Sequence, residues 1–259
     1  MPTHRGIFHR VTGRPIGPPV PIYPEDWPYS DISPSEILWR YMDFWKFEDL
    51  LTKSALYFSR ADLLPGDPLE GRFSPANKSV VSRSDDAFYA AYPISRTLEQ
   101  AEAQHEVHRH CVFVLCWHRN TKESRKMWNA YTSTTQSIVI TSSAKALNRF
   151  IPEEIEKSPV KYHNEDFPRT EFNYNTIYFY KPLKYSFENE FRLLRSIGKN
   201  ESVSFDDPKD FKRYVPISLK AIVHRVITHP NASKDFKLKV DELIGKYLKS
   251  IKRENSHLL

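Results

Sequence analysis

Seven glycines in 259 residues exclude the loops on which nucleotide-binding α/β folds are built. A dinucleotide-binding unit needs Gly-x-Gly-x-x-Gly, because only glycine allows its tight turn and the close approach of backbone to pyrophosphate. No such run occurs. Gly66 and Gly71 have P-loop separation, but Arg72-Phe73 follows where Lys-Ser/Thr is required. His-Glu-x-x-His, Gly-x-Ser-x-Gly and Cys-x-x-Cys are absent too. What remains is a fold of alternating strands and amphipathic helices.

The most informative strand signal is Tyr185-Ser-Phe-Glu-Asn-Glu-Phe-Arg-Leu-Leu-Arg195. Period-two spacing puts Phe187, Asn189, Phe191, Leu193 and Arg195 on one face and Glu188, Glu190, Arg192 and Leu194 on the other. With the aromatic face in the core, two carboxylates and a guanidinium stand in a row, roughly 6.5–7 Å apart. Such a row is either a polar site or a solvated salt-bridge ladder. Cys111-Val-Phe-Val-Leu-Cys116 reads as a buried strand. Its two cysteines point to opposite faces, against a mutual disulfide and in keeping with a reducing, cytoplasmic compartment.

Residues 1–34 hold eight of the nineteen prolines and read as an irregular arm. Ser33-Pro34-Ser35-Glu36 has helical-turn chemistry. Strands are expected at 38–42, 56–59, 111–117, 137–142, 160–162, 176–180 and 188–194, with edge strands at 214–217 and 223–228. Helices are expected after Asp43 (Phe47, Leu50, Leu51), over 95–110, after the capping box Asn120-Thr-Lys-Glu123, over 144–150, and from Ser233 with Phe236, Val240, Leu243, Ile244 and Tyr247 inward. Leu64 to Gly71 reads as a turn-rich loop in which Asp67 and Glu70 form turns. The expected architecture is α+β: a single domain over 35–250 with one mixed sheet and flanking helices, followed by a frayed basic tail, 251–259.

A formal charge of +6 and a pI near 9.1 lean towards an anionic partner, a nucleotide or nucleic acid, although the charge is scattered. Aromatic and basic residues interleave from Tyr174 to Tyr185, which keeps nucleic-acid binding open. A third alternative is a non-catalytic interaction domain that uses the Pro-rich arm. No apolar run nears the roughly 20 residues of a membrane span, so no membrane partner is expected, and Met-Pro-Thr-His-Arg-Gly lacks a secretory apolar stretch. Among His105, His108, His110 and His118, the first two lie one helical turn apart, which suits metal ligands, but no second pair sits at a familiar spacing; the cluster reads as solvated histidines, with no metal expected. Asn231-Ala-Ser233 reads as a turn and N-cap. Met127, Trp128 and Tyr131 share a helical stripe, a core signature; Trp128 or Tyr131 could also stack on a nicotinamide or base. Arg40 reads either as a guanidinium packed on Trp39 or Tyr41 or as a ligand contact.

Leu38-Trp-Arg-Tyr41, Leu56-Tyr-Phe-Ser59, Asp67-Pro-Leu-Glu-Gly71, Cys116-Trp-His118, Glu123 with Met127-Trp128 and Tyr131, and Phe187-Glu-Asn-Glu-Phe-Arg192 together resemble a largely bacterial domain-of-unknown-function family over roughly 38–250. More loosely, Arg40 on a first strand, the helix after it, Leu56 to Ser59, and Glu188-Asn-Glu190 on a late strand resemble the order of ADP-ribosyltransferase-like folds. That resemblance implies an enzyme using NAD as substrate to modify a macromolecule, such as a protein, in a toxin or phage-defence setting. It implies that Glu190 binds the nicotinamide ribose and favours an oxocarbenium-like transition state, and that Glu188 orients or deprotonates the acceptor. Arg40, with Tyr41 and Arg192, would hold NAD, Ser59 would support Glu190, and Trp128 and Tyr131 would line the site. Ser133-Thr-Thr135 only approximates the superfamily's Ser-Thr-Ser.

Overall fold

A computed structural model describes residues 7–8, 15–16, 32–64, 66–67, 70–72, 98–164, 175–198 and 200–258. In the arm, β1 (Ile7–Phe8) and β2 (Pro15–Ile16) form a short antiparallel ladder. Residues 1–6, 9–14 and 17–31 of the arm lie outside the described residues, as does Tyr174.

β3 (Ile37–Asp43) alternates, with Leu38 and Met42 on one face and Trp39 and Tyr41 on the other. It runs directly into α1 (Phe44–Lys53), which buries Phe44, Phe47, Leu50 and Leu51. The Asp43 carboxylate makes no cap; it accepts from Ser133 N and Oγ at 2.8 and 2.9 Å. Ser54, at φ 47°, ends the helix in the left-handed conformation usual there. β4 (Ala55–Arg60), α2 (Leu98–Arg109), β5 (Val112–Arg119), α3 (Arg125–Tyr131), β6 (Ser137–Ser143), α4 (Ala144–Phe150), β7 (Glu156–Pro159) and β8 (Lys161–His163) follow. Then come β9 (Tyr180–Pro182), β10 (Glu190–Ser196), β11 (Lys212–Pro216), α5 (Leu219–Ile222), β12 (Arg225–Thr228), α6 (Lys234–Tyr247) and β13 (Arg253–Glu254).

The fold is α+β, with one nine-stranded sheet of order β11-β4-β5-β3-β6-β12-β13, β10 on β5 and β7 on β10. Every pair in it is antiparallel except β12–β13. β5 is where the sheet forks. One edge pairs with β10 from Ser196↔Val112 to Glu190↔His118. The other is shared by β4, at Ser59↔Val114, and β3, at Trp39↔His118. In the fork, Arg40 Nη2 donates to Tyr57 O at 3.1 Å.

One face of the sheet is the main core, where Leu38, Phe58, Leu115, Trp117, Ile140 and Leu193 pack with side chains of α1, α4 and α6. Each fully buried side chain of this kind contributes about 1.5–3 kcal/mol. The other face carries Trp39, Tyr41, Met127, Trp128, Val139 and Ile227, and beside them the charged groups described below.

Several expectations are corrected. Tyr185–Asn189 is not strand: residues 183–188 form a 3₁₀ helix and Asn189 is left-handed, so the strand begins at Glu190. Thr176–Phe179 is likewise a 3₁₀ turn, followed by the short strand β9. The segment expected to open a helix at Asn120 opens one at Ser124, whose hydroxyl caps Met127 N. Glu123 instead accepts from Trp128 Nε1 at 2.7 Å, Ser256 Oγ at 2.6 Å and His257 N at 2.9 Å. The tail is therefore ordered, with β13 on β12 and Leu258 packed on the Trp39–Trp128 cluster. β12 also lies inside the sheet, between β6 and β13, not at its edge. His105, His108 and His118 are buried, not solvated.

Candidate functional site

Three segments meet on the face of the sheet opposite the main core. β10 supplies Glu190 and Arg192, on alternate positions from the buried Phe191 and Leu193. β9 supplies Lys181, the 3₁₀ helix before β10 supplies Glu188, and the loop at Gly71 supplies Glu70. All five are at most 7 % exposed. The solvated ladder is thereby overturned, because these charges lie beneath the surface and neutralise one another.

Lys181 Nζ donates to Glu188 Oε2 at 2.5 Å and to Glu190 Oε1 at 2.8 Å. Arg192 donates from Nε and Nη2 to Glu190 Oε2 at 3.0 and 2.6 Å, and from Nη1 to Glu70 Oε1 at 2.5 Å. It also donates to the Tyr178 carbonyl. Three carboxylates face two cations, and the surplus negative charge falls on the glutamates. Burial pushes the Glu188 carboxyl up to about 7, reinforced by its hydrogen bond to Glu190 and by that neighbour's charge. Burial acts on Glu190 in the same sense, but Arg192 and Lys181 override it and hold this carboxyl well below the usual carboxylate range. Two carboxylates in one cluster thus have their proton affinities pushed in opposite directions.

Glu190 opens onto a crevice lined also by Trp39, Tyr41, Cys116, His118, Met127 and Tyr131. The space is about 20 Å³ for the centres of water-sized spheres, room for a single water. Tyr131 is 36 % exposed and is the outermost wall; the partial burial of its phenol, and next the Glu190 charge, push it up. His118 Nδ1 lies 2.6 Å from Glu188 O and therefore donates to it, which leaves Nε2 to accept from Asn120 Nδ2 at 3.2 Å. This fixes a neutral imidazole, consistent with burial pushing the ring's proton affinity down. Burial and the Glu190 charge push the Cys116 thiol up, away from thiolate chemistry.

The residues singled out from the sequence separate into groups. Glu188, Glu190 and Arg192 come together, and Tyr41 and Tyr131 line the same crevice. The Tyr41 hydroxyl is engaged, accepting from Ser124 N at 2.8 Å, and its ring meets Trp128 edge-on at 5.0 Å. Trp128 is 1 % exposed and bonded to Glu123, a core residue behind the crevice. Arg40, between Trp39 and Tyr41 on β3, is held in the fork by its bond to the Tyr57 carbonyl and does not line the crevice. Ser59 pairs with Val114, four residues along β5 from the partner of Glu190, about 13 Å at 3.4 Å per residue. Ser133 lies between α3 and β6, bonded to Asp43. Lys181 and Glu70 are the members that sequence reasoning missed. Lys181 in Tyr-Lys-Pro has no partner in its own segment, and Glu70 meets Arg192 only through the fold.

No family model matches the chain, and no curated protein matches it in sequence.

Proposed function

We propose that the chain is an ADP-ribosyltransferase-like enzyme that uses NAD as substrate and modifies a macromolecule. The observation that carries this reading is a buried carboxylate pair converging on Lys181, of which Glu190, held also by Arg192, lines the crevice and Glu188 stands beside it. Transfer of ADP-ribose breaks the bond between ribose C1′ and the nicotinamide nitrogen, whose leaving ring takes the electron pair and becomes neutral. The acceptor then bonds to C1′ and releases a proton. The first step calls for a fixed negative charge near the oxocarbenium-like ribose, which the permanently ionised Glu190 supplies. The second calls for a base that titrates near neutrality, which Glu188 supplies. The crevice admits only water as it stands, so entry of a ribose requires Tyr131 to swing outward. Arg40 is bonded to the Tyr57 carbonyl and is not among the residues that line the crevice, so holding the diphosphate would require it to leave that bond.

The test is nicotinamide release from NAD by the purified wild-type chain and by E190Q. The expected loss in E190Q is about 10²–10³-fold. Equal release by the two proteins removes the role given to Glu190, and no release by folded wild type removes the reading.

A second reading, nucleic-acid binding, is supported by a separate surface. The half-exposed Trp45 meets Tyr57 edge-on at 6.0 Å, and Tyr57 meets Tyr214 at 5.8 Å. Lys46, Lys53 and Lys212 hold their ammonium groups 5.2, 4.8 and 6.0 Å from the rings of this ladder. Rings flanked by cations suit stacked bases and phosphates. Single-strand binding that weakens steeply with salt and falls in W45A supports this reading; affinity flat across salt counts against it.

A further inference from the structure

Asn189 stands at φ 38°, ψ 57° between the two glutamates. The other non-glycine residue with positive φ among the described residues, Ser54, ends a helix in the ordinary way. Asn189 likewise ends a helix, the 3₁₀ turn 183–188, but it does so between two charged groups that share one partner. Left-handed backbone at a non-glycine residue persists only where the surroundings over-determine it, and such positions concentrate at functional sites.

The surroundings here are bonded on every side. Asn189 N donates to Ser186 O at 3.1 Å, and Arg119 N donates to Asn189 O at 2.8 Å. The Asn189 side-chain amide donates to Arg119 O at 2.6 Å. The carbonyl before the turn accepts from His118, and Glu190 N after it donates to Tyr162 Oη at 2.9 Å. The end of β5 thus grips the turn through three consecutive residues, His118, Arg119 and, through the imidazole, Asn120. In an extended strand, carboxylates two residues apart leave the backbone side by side, roughly 6.5–7 Å from one another. The turn breaks that spacing: it takes Glu188 out of the strand while β10 keeps Glu190 in it, and both side chains arrive on one ammonium group.

We propose that Asn189 is a positioning residue whose left-handed turn converges Glu188 and Glu190 on Lys181 and thereby builds the carboxylate pair. The role of that pair in transfer chemistry rests on the function proposed above; the convergence itself does not. Asparagine suits the position twice, because it tolerates left-handed backbone and because its amide ties the turn to Arg119. Glycine would keep the first property, whereas alanine and serine lack the amide and take left-handed backbone only at a cost, as Ser54 does at the end of α1.

The test is the titration of Glu188, followed by carbon-13 NMR of the labelled side-chain carboxyls in wild type, N189G, N189A and N189S. N189G is expected to keep the wild-type midpoint. N189A is expected to lower it by about one pH unit or more, towards an ordinary glutamate, as Glu188 leaves the cluster. N189S replaces N189A in the comparison should that chain not fold. A folded N189A or N189S with the wild-type midpoint overturns the proposal, as does an N189G midpoint displaced as far as theirs. The readout needs no NAD. A wild type that releases no nicotinamide therefore sinks the enzyme reading and leaves the turn standing, and an unmoved midpoint does the reverse.

Discussion

Arg192 and Glu70 are 122 residues apart in the chain and meet as a buried ion pair at 2.5 Å. Neither is more than 3 % exposed, so neither recovers water when its partner is removed. E70A is expected to lower stability by about 1–3 kcal/mol, the cost of removing a charge-assisted hydrogen bond from an Arg192 that Glu190 still neutralises. Urea denaturation checks this, and a loss under about 1 kcal/mol would rank the pair with surface ion pairs.

The two glutamates shape the pH dependence of stability in opposite senses. Glu188 has its proton affinity raised by folding, so its contribution is fully present below the ordinary carboxylate value and is lost as pH rises through about 7. Glu190 has its affinity lowered, so its contribution is present above the ordinary value and is lost as pH falls below it. E188Q is expected to flatten the decline in melting temperature between about pH 5 and 8, and E190Q the loss at acid pH. Parallel wild-type and E188Q melting curves through neutrality would take the proton away from Glu188.

Gly71 adjoins Glu70 at φ +68°, and a Cβ there would overlap the Tyr178 ring. That ring is fully buried, and the Tyr178 carbonyl accepts from Arg192. G71A is expected to cost about 2 kcal/mol or more, from left-handed backbone and overpacking together. Chemical denaturation checks the cost, and a neutral G71A would mean that the Tyr178 ring moves freely.

The strands of the core were legible because their patterns are local. β3, β4, β5 and β6 each carry alternating or continuous apolar side chains, and α1 and α6 carry a clean helical stripe. The alternation of Glu190 and Arg192 against Phe191 and Leu193 was legible for the same reason. The segment before it misled, because Phe187-Glu-Asn mimics a strand while Asn189 takes a backbone angle that its side chain permits without announcing. Lys181 and Glu70 were invisible because ion pairing between distant segments leaves no periodic trace. The burial of the glutamates was equally hidden: a charged face reads as solvated until β9 and the Gly71 loop cover it.

Glu123 clamps the tail to α3 through three hydrogen bonds, two of them to Ser256 and His257. E123A is expected to lose about 2 kcal/mol or more, since bonds to a buried or half-buried carboxylate are charge-assisted. It should also expose the Trp128 indole. Thermal unfolding and a red shift in tryptophan emission check both effects, and unchanged emission would separate the clamp from the cluster.

The same clamp sets a timetable. α3 carries Met127 and Tyr131 to the crevice, yet Glu123 finds two of its partners 133 and 134 residues later. Contacts that close so long a loop form slowly, after local helices and hairpins. The crevice wall is therefore finished late: a chain emerging from the ribosome holds its charged residues in order well before it holds them in a site, and the support of α3 waits for residues 253–258.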